Sequence, residues 1–306
     1  MITSPIWLPA TLVAALFQPW RTAIQRRVGK QLSINAAGLV RYLYGLPFAL
    51  LMLAIYQFLL FPAAFPALNG WFLVYCITGG LAQIIATNLL LMAFDHRNFV
   101  VGTAYSKTEA VQSAFLSFFL LGERLKWLSW LGIALGVIGV MILSAGGKRM
   151  SPRDLVRALG QPGARYGIAS GFFFALTAIG IRAATMEVAT NDPVRAALIV
   201  LATTVALQTL MQGALLFVRE RDQIAPVFRT WRISGQVGLL SALGSACWFT
   251  AFATAPVALV RVVGQIEVAF TMTFGHFYLG ERVTRGEIAG LLLVTSGVVV
   301  ALLGAL

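Results

Sequence analysis

The chain has 306 residues, of which 59% are hydrophobic and only 11% are charged. Soluble domains carry about 25% charged residues, so this composition excludes an ordinary soluble enzyme or binding domain. A net charge of +12 would suggest a nucleic-acid partner in a soluble protein, but here the basic residues flank long apolar segments. Basic residues in such places set membrane topology and contact lipid headgroups, so we expect membrane lipids as partners and no nucleic acid.

Apolar segments of about 20 residues, long enough to cross a bilayer, recur along the whole chain. Each is expected to be helical, because a segment surrounded by lipid has to satisfy its own backbone hydrogen bonds. The pattern predicts ten spans, at residues 5–26, 36–60, 70–93, 99–121, 127–145, 166–187, 194–218, 233–253, 256–279 and 284–305. The predicted fold class is therefore an all-α integral membrane protein with ten transmembrane helices.

The second half of the chain repeats the first at an offset of 158 residues. The sequence Gly-Glu-Arg at residues 122–124 recurs at residues 280–282, and Phe119 recurs as Phe277. Internal repeats in hydrophobic chains are typical of secondary transporters.

The duplication predicts a first five-helix repeat at residues 1–146, a linker at 147–165 and a second repeat at 166–306. Because five is an odd number, the second copy enters the membrane from the opposite side, and the repeats are expected to be inverted. In the linker, Ser151 precedes Pro152 as an N-cap precedes the first helical residue, which predicts a short amphipathic helix on the membrane surface.

Basic residues are distributed unevenly between the two sets of connections. The connections after the odd-numbered spans hold 15 Lys and Arg residues, and those on the opposite side hold three. The positive-inside rule then places the basic connections in the cytoplasm and both termini outside. We expect a multi-pass protein of the bacterial cytoplasmic (inner) membrane.

Two related motifs follow equivalent spans, "LGERL" after the fourth and "LGERV" after the ninth. With ten spans and a five-plus-five duplication, the chain resembles the EamA family of the drug/metabolite transporter superfamily over almost its whole length. The resemblance implies a ten-helix bundle, a central cavity lined mainly by helices 1, 3, 4, 6, 8 and 9, and alternating access. It implies amino acids, amines, nucleotide derivatives or drugs as substrates without choosing among them. Many members are thought to keep their termini in the cytoplasm, whereas the charge bias of this chain predicts the reverse.

Two glutamates, Glu109 in the fourth span and Glu267 in the ninth, stand 158 residues apart and hold the same place in the two repeats. An acid within the membrane is costly and is by default a functional candidate. In an uninterrupted helix, Tyr105 and Gln112 share the face of Glu109. Two carboxylates that face one cavity are suited to binding protons, since burial disfavours the charged form of a carboxyl group. They are equally suited to binding a substrate ammonium.

Several cations also lie within spans. Arg21 and Arg182 occupy roughly equivalent places in the first and sixth spans, so one hypothesis is a zwitterion site, with the substrate carboxylate on arginine and its amine on glutamate. The alternative is internal Arg–Glu pairing that cancels buried charge and fixes helix register. Lys107 is expected about 200° around the helix from Glu109, facing elsewhere. We expect Lys107 and Arg41 to pair with other helices.

Three aromatic side chains are candidates for stacking on a ligand or binding a cation through their π faces, namely Trp20, Tyr105 and Trp248. Ordinary packing is the alternative for each. In the ninth span, Arg261 and Gln265 are expected on a face other than that of Glu267.

These features predict a secondary active transporter, coupled to protons through Glu109 and Glu267, that exports small polar or zwitterionic metabolites such as amino acids or amines. The alternatives are a flippase for a lipid or lipid-linked headgroup and a drug efflux pump. A membrane enzyme would need a nucleophile–base pair or a metal cluster at membrane depth, and the sequence has neither, since His96 and His276 are isolated. We expect no cofactor and no metal, and either a monomer or a homodimer.

Overall fold

The computed structural model describes residues 2–29, 31–95, 105–144, 162–270, 272–273 and 285–305. Most of these residues are helical, and one antiparallel bridge joins Leu68 to Val188. Most of the predicted linker helix, both histidines and the second Gly-Glu-Arg motif lie outside the described residues.

The helices are numbered here in chain order. The first six are α1 (Trp7–Gly29), α2 (Ile34–Leu43), α3 (Leu46–Ala54), α4 (Gly70–Asp95), α5 (Glu109–Leu121) and α6 (Trp127–Ser144). The next six are α7 (Pro162–Met186), α8 (Pro193–Arg219), α9 (Ile224–Arg229), α10 (Trp231–Thr254), α11 (Val257–Gly264) and α12 (Arg285–Ala305).

Five helical segments of the described chain are long and apolar enough to cross a membrane, as judged by length and composition. They are Ile34–Leu60, Gly70–Ala93, Pro162–Met186, Pro193–Arg219 and Trp231–Thr254. Three shorter apolar helices are Glu109–Leu121, Trp127–Ile142 and Ile288–Gly304. The all-helical membrane fold is thereby confirmed, while the count of ten spans stays a prediction.

The second predicted span is interrupted rather than continuous. It consists of α2, α3 and a π-helical turn at Ile55–Leu60. The interruption falls at Tyr44 and Gly45, just before Pro47 in the first turn of α3. Proline has no N–H to continue the hydrogen bonding of α2, so a new helix begins there.

The chain forms two compact units, and each contains helices from both sequence repeats. The first unit comprises Met1–Ile84 and Thr177–Ala255, and the second comprises Ile85–Leu176 and Pro256–Leu306. Helices α4 and α7 contribute residues to both units.

The first unit has a core in which α2 packs against α8, α9 and α10. Its buried side chains are Val28, Leu32, Ala36, Ala37, Leu39, Val40, Leu216, Val227 and Val237. Side-chain hydrogen bonds cap the first turns of α2 and α8, two helices of this core. Ser33 Oγ accepts from the Ala36 N–H at the start of α2, and Asp192 accepts from two N–H groups at the start of α8.

In the second unit, α6 packs closely against α12 along a row of glycines. A Cβ on Gly132 would lie 2.4 Å from the nitrogen of Ala301, and one on Gly139 would lie 2.6 Å from the nitrogen of Val294. Because glycine has no side chain, the two backbones approach closely. Such close packing stabilises helix pairs in lipid, where the hydrophobic effect does not drive association.

Candidate functional site

Each candidate glutamate directly follows an interruption of its helical segment. In the fourth predicted span, a turn at residues 107–108 precedes Glu109, the first residue of α5. In the ninth, α11 ends and a turn at residues 265–266 precedes Glu267. The prediction of continuous helices through these two points is wrong.

Backbone hydrogen bonds explain how the two turns form. At the first, the Thr108 N–H donates to the Tyr105 carbonyl at 3.2 Å, a bond between residues three apart. At the second, the Ile266 N–H donates to the Val263 carbonyl at 3.1 Å, again three residues back. Such tight turns within a helix often mark functional positions. Because the turns lie 158 residues apart, the interruption itself is duplicated.

The four charged side chains beside the turns form two reciprocal ion pairs. Lys107 from the fourth segment contacts the carboxylate of Glu267 from the ninth. Arg261 from the ninth contacts Glu109 from the fourth, with 2.8 Å between Nε and Oε1. The four side chains are between 13% and 18% exposed, so all are largely removed from solvent. Each acid is therefore neutralised by a cation from the other repeat.

The two pairs differ in geometry. Lys107 Nζ donates a hydrogen bond to Glu267. The Nε–H of Arg261 does not point at the oxygen that it approaches, so that contact is an ion pair without a hydrogen bond. Arg261 Nη2 instead donates to the carbonyl of Phe174 at 3.3 Å.

The expected pairing of Lys107 with another helical segment is confirmed, through Glu267. The turn at residues 107–108 breaks the helical periodicity between Lys107 and Glu109, so the angle of about 200° in an ideal helix does not apply to them.

Glycines in neighbouring helices leave room for both turns. A Cβ on Gly136 of α6 would lie 2.3 Å from Gln265 Oε1. A Cβ on Gly171 of α7 would lie 2.8 Å from the carbonyl oxygen of Ser106 and 3.2 Å from the nitrogen of Glu109. Both turns are thus packed closely by backbone, which restricts how the charged side chains can move.

Two other predicted residues adjoin the first turn. Gln112 Nε2 donates to the hydroxyl of Thr108 at 2.8 Å, and that hydroxyl donates to the Tyr105 carbonyl at 2.6 Å. The Tyr105 side chain is buried in a small apolar cluster with Ala164. Gln112 and Tyr105 therefore support the turn that carries Lys107 and Glu109.

The predicted candidates on α1, α7 and α10 belong to the first unit. Arg182 Nη1 donates to the carbonyls of Phe252 and Ala255 at the end of α10, the latter at 2.9 Å. Its guanidinium thus serves the last carbonyls of a helix, which lack partners within the helix.

The aromatic candidates of the first unit differ in exposure. Trp248 Nε1 donates to Gln18 Oε1 at 3.2 Å, and its ring stacks on Phe252 with 5.9 Å between centroids. Trp20 is 48% exposed. Arg21 is partly buried beside it on α1.

The first Gly-Glu-Arg motif has a structural role in the second unit. Gly122 ends α5 with a φ of +66°, a conformation that favours glycine. Glu123 accepts a hydrogen bond from the Val257 N–H at 3.0 Å and so caps α11 rather than the next helix in the chain.

Comparison with known proteins identifies two similar halves in the chain, in agreement with the sequence repeat. The profile of the EamA-like transporter family matches residues 5–145 and again residues 161–303. The chain belongs to the EamA-like transporter family. A crystal structure of a protein with 16% sequence identity aligns over 97% of both chains with a TM-score of 0.72, a likeness that concerns the fold alone. No curated protein matches the sequence.

Membership of the EamA-like family makes this chain a membrane transporter of the drug/metabolite type. The two reciprocal ion pairs of the second unit therefore place four largely buried charged side chains among the helices of a membrane transporter. Glu109 and Glu267 can be identified from the sequence, whereas the turns that precede them carry no glycine or proline by which they could be predicted.

Proposed function

We propose that this EamA-like protein is a secondary active transporter that exports small polar or zwitterionic metabolites, amino acids or amines first, in exchange for protons. The observation that carries the proposal is the pair of reciprocal ion pairs at duplicated helix interruptions. In many transporters, substrate and coupling-ion sites lie at discontinuous helices near the interface of two inverted repeats.

The charges of the cluster match those of a zwitterion. Lys107 and Arg261 are suited to a carboxylate, and Glu109 and Glu267 are suited to an ammonium. A zwitterion can replace either internal partner without leaving a buried charge alone, because it brings one group of each sign. Removing one member of a buried pair is costly, so exchange of partners is favoured over simple opening.

Proton binding provides the coupling step. The ionised Glu267 holds the substrate ammonium while Lys107 holds the substrate carboxylate, so the substrate binds when Glu267 carries no proton. A proton on Glu267 cancels this negative charge and releases the substrate, so that proton and substrate occupy the site in turn, as exchange requires. The same exchange applies to Glu109 and Arg261. Inward movement of one charge releases about 2.3 kcal/mol per 100 mV of membrane potential, enough to drive export of a neutral solute.

The test is transport by the full chain in proteoliposomes with a panel of amino acids and amines, with and without a pH gradient. We expect a gradient to accelerate the transport of at least one solute several-fold. Glu267→Gln should remove this acceleration because it holds no exchangeable proton. Asp222→Asn, which neutralises an exposed acid, should retain it. Wild-type rates and unchanged pH dependence in both Glu109→Gln and Glu267→Gln would refute the coupling.

A further inference from the structure

The connection between the π-helical turn after α3 and the start of α4, at residues 61–69, is uncharged and has an apolar surface. The sequence contains no Asp, Glu, Lys, Arg or His between Arg41 and Asp95. All but one of the residues of the connection are exposed. Its exposed large hydrophobic side chains are Phe61, Phe65 and Leu68. Contiguous exposed apolar surface of this kind marks contact with a membrane or with another protein.

One edge of the connection is fixed to the chain between α7 and α8, within the first unit. The Ala189 N–H donates to the Ala67 carbonyl at 3.0 Å, and the Asn69 N–H donates to the Glu187 carbonyl at 3.1 Å. These bonds flank the antiparallel bridge of the first unit. The connection therefore has one edge paired with protein, while its apolar side chains stay uncovered.

Side chains of the same unit also satisfy carbonyl groups of the connection. Arg195 Nη2 donates to the Phe61 carbonyl at 2.7 Å, and Gln57 Nε2 donates to the Ala63 carbonyl. The two prolines of the connection have no N–H group that would need an acceptor. Irregular backbone at membrane depth is tolerated where protein, rather than water, satisfies its polar groups. The connection meets this condition better than a loop in water needs to.

The helical residues on both sides of the connection continue the apolar surface. Before it, Phe58 and Leu59 are 71% and 74% exposed, and after it Trp71 is 60% exposed. In an EamA-like transporter, apolar side chains that the spans leave uncovered face lipid. Tryptophan is enriched where the membrane meets water, so Trp71 suits that depth. The surface of the connection is thus continuous with surface that lipid already covers.

We propose that residues 61–69 lie in the lipid interface, with Phe65 and Leu68 among phospholipids and the hydrogen-bonded edge turned towards the first unit. Phospholipid is the partner because the surface is uncharged and joins the lipid-facing sides of two spans. The connection thereby anchors the chain between α7 and α8, to which it is bonded, at the membrane surface. This role is independent of the substrate and of proton coupling.

The experiment places the environment-sensitive fluorophore NBD on the connection in nanodiscs of phosphatidylcholine and phosphatidylglycerol, both faces of which are open to soluble quenchers. In a background with Cys76→Ala and Cys247→Ala, either Ala64→Cys or Asp222→Cys provides a single exposed thiol for labelling. Asp222, in a connection with several arginines, is the matched control. We expect position 64 to emit at shorter wavelength than position 222. We also expect several-fold more quenching by doxyl phosphatidylcholine and several-fold less by iodide.

Two outcomes would overturn the proposal. Equal iodide quenching at positions 64 and 222 would mean that the connection lies in water. Emission at short wavelength without quenching by doxyl lipid would mean that protein, such as a second copy of the chain, covers the surface. Ala63→Cys, at an exposed neighbour, gives an independent measurement if Ala64→Cys does not fold.

Discussion

Lys107 and Gln265 occupy equivalent positions in the two repeats, and only Lys107 is charged. Each lies in a turn that directly precedes a glutamate. Lys107 reaches the glutamate of the other repeat, whereas the Gln265 amide is buried against α6 and bonds to none of the described residues. The second cation of the cluster comes instead from Arg261, four residues earlier. The duplicated backbone thus carries an asymmetric set of charges, so the two acids have different partners and need not exchange protons together.

The first prediction concerns the energetic coupling of Lys107 and Glu267. Glu267→Gln alone leaves the lysine buried without a counter-charge and should lower the free energy of unfolding by about 3–5 kcal/mol. The double variant Lys107→Met/Glu267→Gln removes both charges and should regain most of that loss. Thermal or denaturant unfolding in detergent measures both, with Asp222→Asn as the exposed control. Additive losses in the double variant would mean that the two side chains do not form a pair.

How far the sequence predicts this structure depends on the kind of interaction. Span positions follow from apolar length and recur in the structure, as for α8 at Pro193–Arg219 against a predicted 194–218. A lipid environment imposes that rule on each span separately, so no knowledge of neighbours is needed. Helix ends that are marked by a particular residue can also be predicted, as at Gly122, where glycine adopts a positive φ.

The turns before Glu109 and Glu267 could not be predicted from the sequence in this way. Neither residues 107–108 nor residues 265–266 include glycine or proline. The glycines that pack closely against the turns, Gly136 and Gly171, are distant from them in sequence. The partners of the two acids come from the other repeat, so identifying them needs contacts between residues that are distant in sequence.

The glycines of α6 provide a test of close packing. Gly132→Ala would place a Cβ 2.5 Å from the Gly297 carbonyl oxygen, so backbone has to shift, at a cost of about 1–3 kcal/mol. Gly235→Ala in α10 meets nothing within 4 Å and should be neutral or slightly stabilising, since alanine is the better helix former. Unfolding temperatures of the two variants measure the contrast. Similar values for both would mean that α6 and α12 do not approach so closely.

Glu123 is predicted to stabilise the fold without taking part in transport. Glu123→Ala removes the acceptor for the Val257 N–H at the start of α11 and should cost about 1 kcal/mol, as lost N-terminal caps do. Arg124→Ala, in the same turn but exposed, is the matched control. Transport rates per folded molecule should equal the wild-type rate in both. A slower cycle in Glu123→Ala at full stability would instead indicate a gating role for the motif.

The charge bias predicts that the C-terminus lies outside the cell. A protease-sensitive tag placed after Leu306 should be cut in intact spheroplasts, whose outer face is accessible. A tag inserted after the exposed residue Asp222, in a basic connection, should be protected until the membrane is opened. The reverse pattern would mean that the 15 basic residues of the odd-numbered connections do not set the orientation.

The last prediction is that Arg182 has a structural role, and it tests whether Arg21 binds substrate. Arg182→Met removes the donor for two carbonyls at the end of α10, and each buried acceptor left without a partner costs about 1–3 kcal/mol. We therefore expect lower stability, partial recovery in Arg182→Lys, and an unchanged apparent affinity in the protein that remains folded. Arg21→Met tests the equivalent position of the first repeat, where a higher KM for substrates with a carboxylate is the result expected of a binding residue. A stable Arg182→Met protein with weakened substrate affinity would instead place Arg182 at the transport site.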